Sequence, residues 1–281
     1  VRCDNSRDLE MMPSDLSDFN VYGGIYRYLN LVYVPEISID KIFADLSVDA
    51  AGSLGNLEVK ARFRQPGSLK NAKVEVLLKE QNGKVVFSKV SSLSSLDGEL
   101  SLARTSIKKP KLWSTERPYL YTLEVKLVES GYVKSQKVGF RNFEFQKKGP
   151  FFLNGKRLLL RGTHRHEDHA GVGAAMTEEM IRTEMQMMKD MGVNFIRLGH
   201  YQQSPIVLQL CDSLGILVWE EIPWCRGGLG GEIYQAQAKR MLKNMIQQHF
   251  NHPSIIIWGL GNENDWPGDF PEFDKEKIRI F

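Results

Sequence analysis

An amide and a carboxylate stand side by side near the end of the chain, as Asn262 and Glu263. They directly follow an apolar run, residues 255–260, whose length and composition are typical of a strand buried on both faces. A carboxylic acid beside a hydrogen-bonding asparagine can donate a proton to a leaving oxygen. The pair therefore predicts a proton-transfer site at the end of a buried strand. A surface turn after a core strand is the alternative.

Three earlier segments repeat this arrangement of a short apolar strand that ends in polar side chains. In chain order they are residues 157–162 followed by 163–169, residues 193–198 followed by Gly199-His200-Tyr201, and residues 216–219 followed by Glu220-Glu221. In a (β/α) barrel the carboxyl ends of the strands form the active-site face. We therefore expect these polar groups to meet at one mouth.

The segments between these strands have the pattern of helices. They extend from Thr177 to near Gly192, from Ser204 to near Gly215, and from about Glu232 to Gln248. Thr177 is a suitable N-cap, and Pro205 occupies the first position of the second helix, where proline is favoured. Strand and helix alternate four times, which favours a parallel sheet with helices outside.

The C-terminal part of the chain is too short for a complete barrel. Eight strand–helix units typically need about 250 residues, whereas residues 151–281 leave room for the four units found. We therefore expect the first half of a TIM (β/α)₈ barrel, cut after its fourth strand.

The first half of the chain has a different pattern, with no helical period between residues 37 and 145. Asn82-Gly83 separates two β-rich runs, which is a strong hairpin signal, and residues 120–127 alternate between apolar and polar. This predicts an immunoglobulin-like antiparallel β-sandwich of roughly 100 residues. The residues before it are too few to close a domain, although residues 26–32 resemble a strand.

Composition indicates a globular protein, with 42% hydrophobic and 25% charged residues. The net charge of +3 is spread along the chain, so we expect no nucleic-acid partner. The longest apolar runs are too short to span a membrane, so we expect no membrane partner. The three cysteines do not suggest a disulfide framework. Both a periplasmic and a cytoplasmic location stay open, as does a homo-oligomer.

Five short motifs occur in an order that resembles glycoside hydrolase family 2. They are Tyr22-Gly23-Gly24-Ile25-Tyr26-Arg27, Phe152-Leu153-Asn154-Gly155-Lys156, Arg165-His166-Glu167, His200-Tyr201 and Gly261-Asn262-Glu263. The resemblance implies three domains: the C-terminal part of a sugar-binding jelly roll (1–36), the immunoglobulin-like sandwich (37–145) and the N-terminal half of the catalytic barrel (146–281). Within the family the segments around 161–169 and 197–201 look most similar to β-galactosidases, and β-glucuronidases come next.

The resemblance implies retaining, exo-acting hydrolysis of terminal β-galactosides, with β-glucuronides as the alternative substrate. Glu263 matches the general acid/base of the family, and the nucleophilic glutamate belongs to a later strand that this chain lacks. Retaining enzymes place the two carboxylates about 5–5.5 Å apart. A non-catalytic carbohydrate-binding fragment is the alternative from another class.

Further residues are expected to bind the sugar or to support the acid/base group. The expected carbohydrate contacts are His166, His200, Asn262, Glu221 and Trp224. Arg197 lies inside its strand, where it could grip a carboxylate as a fork and keep a catalytic glutamate ionised; a structural salt bridge is the alternative.

We expect no cofactor and no metal. A metal could be suggested by His164, His166, Glu167 and His169. However, His169 follows His166 by only three residues, so they do not form the helical His-Glu-x-x-His zinc motif. The stretch after the third strand, residues 223–227, also lacks the acidic and histidine ligands of the magnesium-dependent β-galactosidases.

Overall fold

Seven antiparallel strands form a two-sheet sandwich in the first half of the chain. The structure is a computed structural model that describes residues 3–4, 6, 10–13, 16–49, 51–64, 72–228 and 230–264. The strands are β1 (Ser38–Val48), β2 (Leu54–Arg64), β3 (Ala72–Lys79), β4 (Val85–Leu93), β5 (Glu99–Lys108), β6 (Tyr121–Leu127) and β7 (Val133–Val138). One sheet has the order β1-β2-β5 and the other β4-β3-β6-β7. The predicted sandwich is confirmed.

Side-chain alternation builds the core of this sandwich. In β6 buried positions alternate with half-buried ones, because successive side chains of a strand point to opposite faces. Leu123 and Val125 of β6 are fully buried in the core between the sheets. The predicted hairpin is also confirmed, since the turn between β3 and β4 contains Asn82 and Gly83 and the glycine has a φ of +85°.

A small antiparallel sheet separates the sandwich from the barrel. It contains β8 (Phe143–Phe145), β9 (Phe151–Leu153) and β10 (Lys156–Leu158) in the order β10-β9-β8. The prediction that residues 157–162 form the first barrel strand is therefore wrong. Asn154 and Gly155 both have positive φ values, 51° and 74°, as in the tight turns that close two-residue hairpins. This turn folds residues 156–158 back onto β9.

Four parallel strands form the first half of a (β/α)₈ barrel. They are β11 (Gly162–Arg165), β12 (Phe195–Leu198), β13 (Leu217–Glu221) and β14 (Ile255–Gly259), hydrogen-bonded in chain order. The helices between them are α1 (Glu178–Asp190), α2 (Pro205–Leu214) and α3 (Glu232–His249). The predicted alternation of strand and helix is confirmed, with the first strand displaced toward the C-terminus. None of the described helices is long and apolar enough to cross a membrane.

Local sequence explains where the first two helices begin and end. The Thr177 hydroxyl accepts a hydrogen bond from the Met180 amide at 3.3 Å, so it caps α1 as predicted. Ser204 occupies the N-cap position of α2 but makes no side-chain cap. Gly215 ends α2 in the left-handed conformation, with its amide bonded to the Cys211 carbonyl at 3.0 Å.

The sandwich and the barrel are joined by a half-buried arginine. Arg141 donates through Nη2 to the Ile255 carbonyl at 2.7 Å and through Nε to the Pro253 carbonyl. Burial lowers the pKa of Arg141 to about 10, so it stays charged at neutral pH. Trp113 adds a hydrogen bond from its indole to the Asp212 carbonyl at 2.7 Å. These bonds anchor the start of β14, whose far end carries the predicted site.

The described residues before the sandwich form no strand. The predicted strand at residues 26–32 is therefore not observed. Residues 16–27, named here the mouth segment, instead lie across the carboxyl ends of the barrel strands. The residues that follow expose a run of large apolar side chains, among them Tyr28, Leu31 and Tyr33.

Candidate active site

Polar side chains from three neighbouring strands meet at one mouth of the barrel. β12 carries Arg197 and leads to His200, β13 ends at Glu221, and β14 leads to Asn262 and Glu263. Parallel strands bring these residues together because their carboxyl ends lie at the same edge of the sheet.

Arg197 joins two of the predicted site residues, Glu221 and Asn262. Its Nε lies 3.2 Å from Oε2 of Glu221 and its Nη2 lies 3.0 Å from Oε1. The same Nη2 donates to Oδ1 of Asn262 at 2.9 Å. Its guanidinium carbon lies 4.5 Å from the centre of the Trp219 ring, within the range of a cation–π contact. Since a charged fork is strong and directional, Arg197 fixes both the carboxylate and the amide.

Glu221 also determines which nitrogen of His200 carries a proton. Nδ1 of His200 lies 2.5 Å from Oε1 of Glu221, and a carboxylate can only accept, so Nδ1 donates. The 3.3 Å approach of Arg197 to this nitrogen is then a close contact and not a hydrogen bond. The second ring nitrogen, Nε2, is left for a ligand. Glu221 itself is fully buried, so it orients neighbours and has no surface for a sugar.

Asn262 is held at every polar end. Its Oδ1 faces Arg197, and its Nδ2 donates to Sγ of Cys225 at 3.5 Å. Its backbone amide donates to the Trp224 carbonyl at 2.8 Å, and its carbonyl accepts from the Arg226 amide at 2.9 Å. These backbone hydrogen bonds also fix the position of Glu263, the next residue along the chain.

Glu263 follows in an unusual conformation. Its φ is +50°, in the left-handed region that costs a non-glycine residue about 1–3 kcal/mol. Its side chain is exposed, and within the described ranges its carboxylate has no hydrogen-bond or ion-pair partner. The acid is therefore open to an external oxygen, whereas Glu221 is not.

Three histidines form a second group at this mouth. The rings of His164 and His166 stack with centroids 4.9 Å apart, and His200 lies 4.8 Å and 5.3 Å from them. Burial, with the neighbouring His200 next, lowers the pKa of both His164 and His166. Both rings are thus neutral at pH 7 and can donate or accept hydrogen bonds. From the sequence, His166 and His200 were expected to contact the sugar, whereas His164 was considered only as a possible metal ligand.

The mouth segment contributes residues that sequence analysis did not assign to the site. Oδ1 of Asp18 accepts a hydrogen bond from Sγ of Cys225 at 3.2 Å. Burial raises the pKa of Asp18, but the Cys225 bond and the charge of His200 outweigh it and lower the pKa overall. Phe19 packs 4.8 Å from Tyr201 and 6.2 Å from His166. Their position just before the Tyr22-Gly23-Gly24 motif was the available signal.

The mouth segment and the strand ends enclose a cleft of about 390 Å³. Asp18, Phe19, Arg27, His166 and Tyr201 are among its lining residues. A cleft with apolar walls and a few polar groups is typical of a small-molecule site. Its size and lining fit a polar ligand such as a sugar ring.

Two further residues, Trp224 and Glu220, lie behind the mouth. Trp224 is 3% exposed and packs against Tyr234, with its indole nitrogen bonded to the Gly228 carbonyl at 2.7 Å. This burial does not fit the expected role as a stacking platform. Glu220 is fully buried, and its Oε1 lies 2.8 Å from Nδ1 of His249.

Sequence models of one protein family match most of the chain. The model described as "Glycosyl hydrolases family 2" matches residues 37–141, and "Glycosyl hydrolases family 2, TIM barrel domain" matches residues 144–276.

Solved structures and curated relatives agree with this match. The β-glucuronidase of Parabacteroides merdae is 62% identical, with a TM-score of 0.94 over 99% of this chain and 35% of that one. Bacteroides uniformis β-glucuronidase 3 is 58% identical, with a TM-score of 0.91 over 99% and 35%. A β-galactosidase of Thermoanaerobacter pseudethanolicus is 31% identical over 91% of this chain and 35% of that protein. The chain thus spans about a third of the length of these relatives.

Proposed function

The chain belongs to glycosyl hydrolase family 2, and from that membership we propose that it supplies the acid/base side of the active site of a retaining β-glycosidase. The observation that carries the proposal is the pair Asn262 and Glu263 at the end of β14. The amide is fixed by Arg197, and the carboxylate beside it is exposed. A fixed amide next to an open acid suits protonation of a glycosidic oxygen.

Glu263 is the proposed general acid, which then takes a proton from water in the second step. Asn262 is the proposed partner of the sugar 2-hydroxyl, and a bond to that hydroxyl strengthens in the transition state. His166 and His200 are proposed contacts for other hydroxyls, because His166 lines the cleft and Nε2 of the neighbouring His200 is not used by Glu221. Asp18 joins them as a further polar contact.

No residue of this chain is proposed as the nucleophile. Glu221 is the carboxylate that sequence position brings nearest to that role, but both of its oxygens are bonded to Arg197 and one to His200. A nucleophile must approach the anomeric carbon directly. We therefore propose that Glu221 and Arg197 position Asn262 and His200, in place of the sugar contact expected for Glu221.

The proposed substrate class is a terminal β-glucuronide. The solved glucuronidases are 62% and 58% identical to the chain, whereas the galactosidase relative is 31% identical. This pattern favours the alternative of the sequence analysis over its main expectation of β-galactosides. The domain division at 1–36, 37–145 and 146–281 is part of the same proposal, and the two family matches support its two later units.

The test is hydrolysis of nitrophenyl β-glucuronide and nitrophenyl β-galactoside. Each substrate is assayed with this chain alone and with the product of its gene read to the stop codon. We expect the gene product to prefer the glucuronide by about 100-fold in kcat/KM, since a site built for a polar group rejects analogues that lack it. A preference for the galactoside would refute the substrate class and leave the family chemistry standing.

Glu263→Gln tests the proposed role of the acid. We expect kcat to fall by about 10²–10⁴-fold, the usual contribution of general acid–base catalysis. Glu179→Gln is the matched control, because Glu179 is an exposed residue of α1. Full activity in Glu263→Gln, or glucuronide binding without any hydrolysis by the gene product, would favour the binding module.

A further inference from the structure

Three histidine side chains converge at the mouth with potential ligand atoms close together. One nitrogen from each of His164, His166 and His200 lies within 4.8 Å of the others. His164 lies in β11, His166 directly follows that strand, and His200 follows β12. The group is therefore not visible in any single segment of the sequence. The zinc motif considered from sequence paired His169 with His166. In the structure the histidine grouped with His166 is His200, and His169 is not part of the group.

A glycine makes room for the first of these rings. A Cβ atom at Gly199 would collide with Nε2 of His164. Because Gly199 has no side chain, the His164 ring can lie against the backbone that leads to His200. The cluster therefore depends on a specific small residue between β12 and His200.

The buried histidine of the group has the hydrogen bond that metal ligands usually have. Nδ1 of His200 donates to Oε1 of Glu221 at 2.5 Å. A ligating histidine almost always donates its other ring nitrogen to a carboxylate or carbonyl, which fixes the ring and raises its basicity. Arg197 in turn holds that carboxylate. These two successive contacts fix the orientation of the His200 ring and therefore the position of its Nε2.

We propose that His164, His166 and His200 form a Zn²⁺-binding site at the barrel mouth. Imidazole is a preferred ligand of Zn²⁺, with Zn–N bonds of about 2.0–2.1 Å, so tetrahedral nitrogens lie about 3.3 Å apart. Rotation of the side chains that moves these nitrogens by about 1–2 Å brings the observed group to that spacing. Three protein ligands leave a fourth position for water.

The site overlaps the proposed sugar contacts, a consequence that rests on the proposed function. His166 and His200 cannot bind sugar hydroxyls and Zn²⁺ through the same nitrogens at once. Zn²⁺ is therefore a reversible competitive inhibitor, whose effect a chelator removes.

A second group at the mouth shares His200 but fits a metal less well. Asp18, His200 and Cys225 also have ligand atoms within 4.8 Å of one another. Burial raises the pKa of Cys225 to about 11, and its thiol proton is used in the bond to Asp18. A thiol must lose that proton before it can bind a metal.

The test is calorimetric titration of the tag-free protein with ZnCl₂, repeated with Co²⁺ to record its visible absorption. We expect one equivalent to bind, and His164→Gln and His166→Gln each to weaken binding by at least about 10–100-fold, since the loss of even an outer-shell partner costs that much. His169→Gln is the matched control, because His169 belongs to the same loop but not to the cluster. Circular dichroism of each variant confirms that it is folded.

Binding and hydrolysis are read separately, so the two proposals can fail independently. Zn²⁺ binding that is lost in the two cluster variants and kept in His169→Gln supports the site, even if no glycoside is cleaved. No binding by the parent protein refutes it. Binding that survives His164→Gln but is lost in Cys225→Ser also refutes it, because the metal is then held by the second group.

Discussion

The guanidinium of Arg197 fixes the orientation of the Asn262 amide beside Glu263. Arg197 gives hydrogen bonds to Glu221 and Asn262 from the same nitrogen, Nη2. A lysine has one charged nitrogen on a flexible stem and cannot reproduce a planar fork. The identity of this residue, and not only its charge, therefore sets the geometry of the mouth.

Arg197→Lys is expected to lower kcat on nitrophenyl β-glucuronide by about 10–100-fold, because charge-assisted hydrogen bonds worth about 1.5–3 kcal/mol are lost or bent. KM should change less, since the amide acts most strongly in the transition state. Steady-state kinetics of the gene product measure the split. Arg104→Lys is the control, since Arg104 is 77% exposed on the sandwich. A rise in KM alone would mean that Arg197 serves ground-state binding.

The last barrel strand approaches its neighbour too closely for a side chain at one position. A Cβ at Gly259 of β14 would lie 2.5 Å from Cβ of Glu221 and 2.5 Å from Nε1 of Trp219. Those atoms belong to the two residues of β13 that contact Arg197. The small residue thus lets two strands meet where the site is built.

Gly259→Ala should lower the free energy of unfolding by about 1–3 kcal/mol, the usual cost of overpacking, and should reduce activity by moving Glu221. Urea unfolding measures the first effect. Gly231→Ala is the control, because its Cβ would meet only the far end of the Glu10 side chain. Equal stability of the two variants would show that β14 can shift without strain.

A half-buried histidine joins α2 to the turn before β14. Nδ1 of His252 lies 2.6 Å from Oδ2 of Asp212, with Glu220 and His249 also near. Burial lowers the pKa of His252, but the bond and the charge of Asp212 outweigh it, so the pKa is raised above 6.5. The charged pair therefore stabilises the fold fully below pH 6.5, and this contribution is lost as pH rises through the raised pKa.

His252→Gln should accordingly cost about 2 kcal/mol at about pH 5.5 and clearly less at about pH 9. Urea unfolding across this range gives the difference between variant and parent. His169→Gln, which changes an exposed histidine, should give a small and flat difference. A His252→Gln cost that grows with pH would contradict the assigned direction.

At the scale of the whole molecule, the mouth segment is held by an ion pair. Nε of Arg27 lies 2.8 Å from Oε1 of Glu167, and its Nη2 donates to the Gln202 carbonyl at 2.9 Å. The Glu167 side chain is 2% exposed and also accepts from the Ser204 amide at 2.7 Å. The N-terminal residues are thereby fixed to the start of α2.

Arg27→Ala should speed amide hydrogen exchange in residues 16–27 by about tenfold or more, because a charge-assisted bond to a buried carboxylate is removed. Exchange in the sandwich should not change. Arg104→Ala removes a surface pair with Glu58 and is expected to leave the segment protected. Unchanged exchange in Arg27→Ala would assign the attachment to Phe19 and Asp18.

Sequence patterns predicted what depends on neighbours along the chain. The cap at Thr177, the Asn82-Gly83 turn and the run into Asn262 and Glu263 each follow from local rules, and the alternation of elements follows from them. The first barrel strand was misplaced because the turn at Asn154-Gly155 folds residues 156–158 back onto β9, and the apolar pattern alone does not distinguish a hairpin strand from a barrel strand.

Long-range contacts explain what the sequence did not predict. The burial of Trp224 depends on Tyr234 of α3, and the histidine cluster joins residues that follow different strands. Asp18 contacts Cys225 across a separation of 207 residues. No periodicity encodes such a meeting, so the site was predicted as residue types at strand ends and not as a set of contacts.

The wide separation between the mouth segment and its partners sets an order of events during protein synthesis. A ribosome adds about 5–20 residues per second, so Asp18 leaves it about 10–40 s before Cys225. Over that interval the sandwich strands emerge with their pairing partners close behind them, whereas the mouth segment has nothing to bind. The residues of the mouth segment are therefore synthesised well before their partners. They can dock only after β13 and its following loop have folded, and until then they must avoid other apolar surfaces.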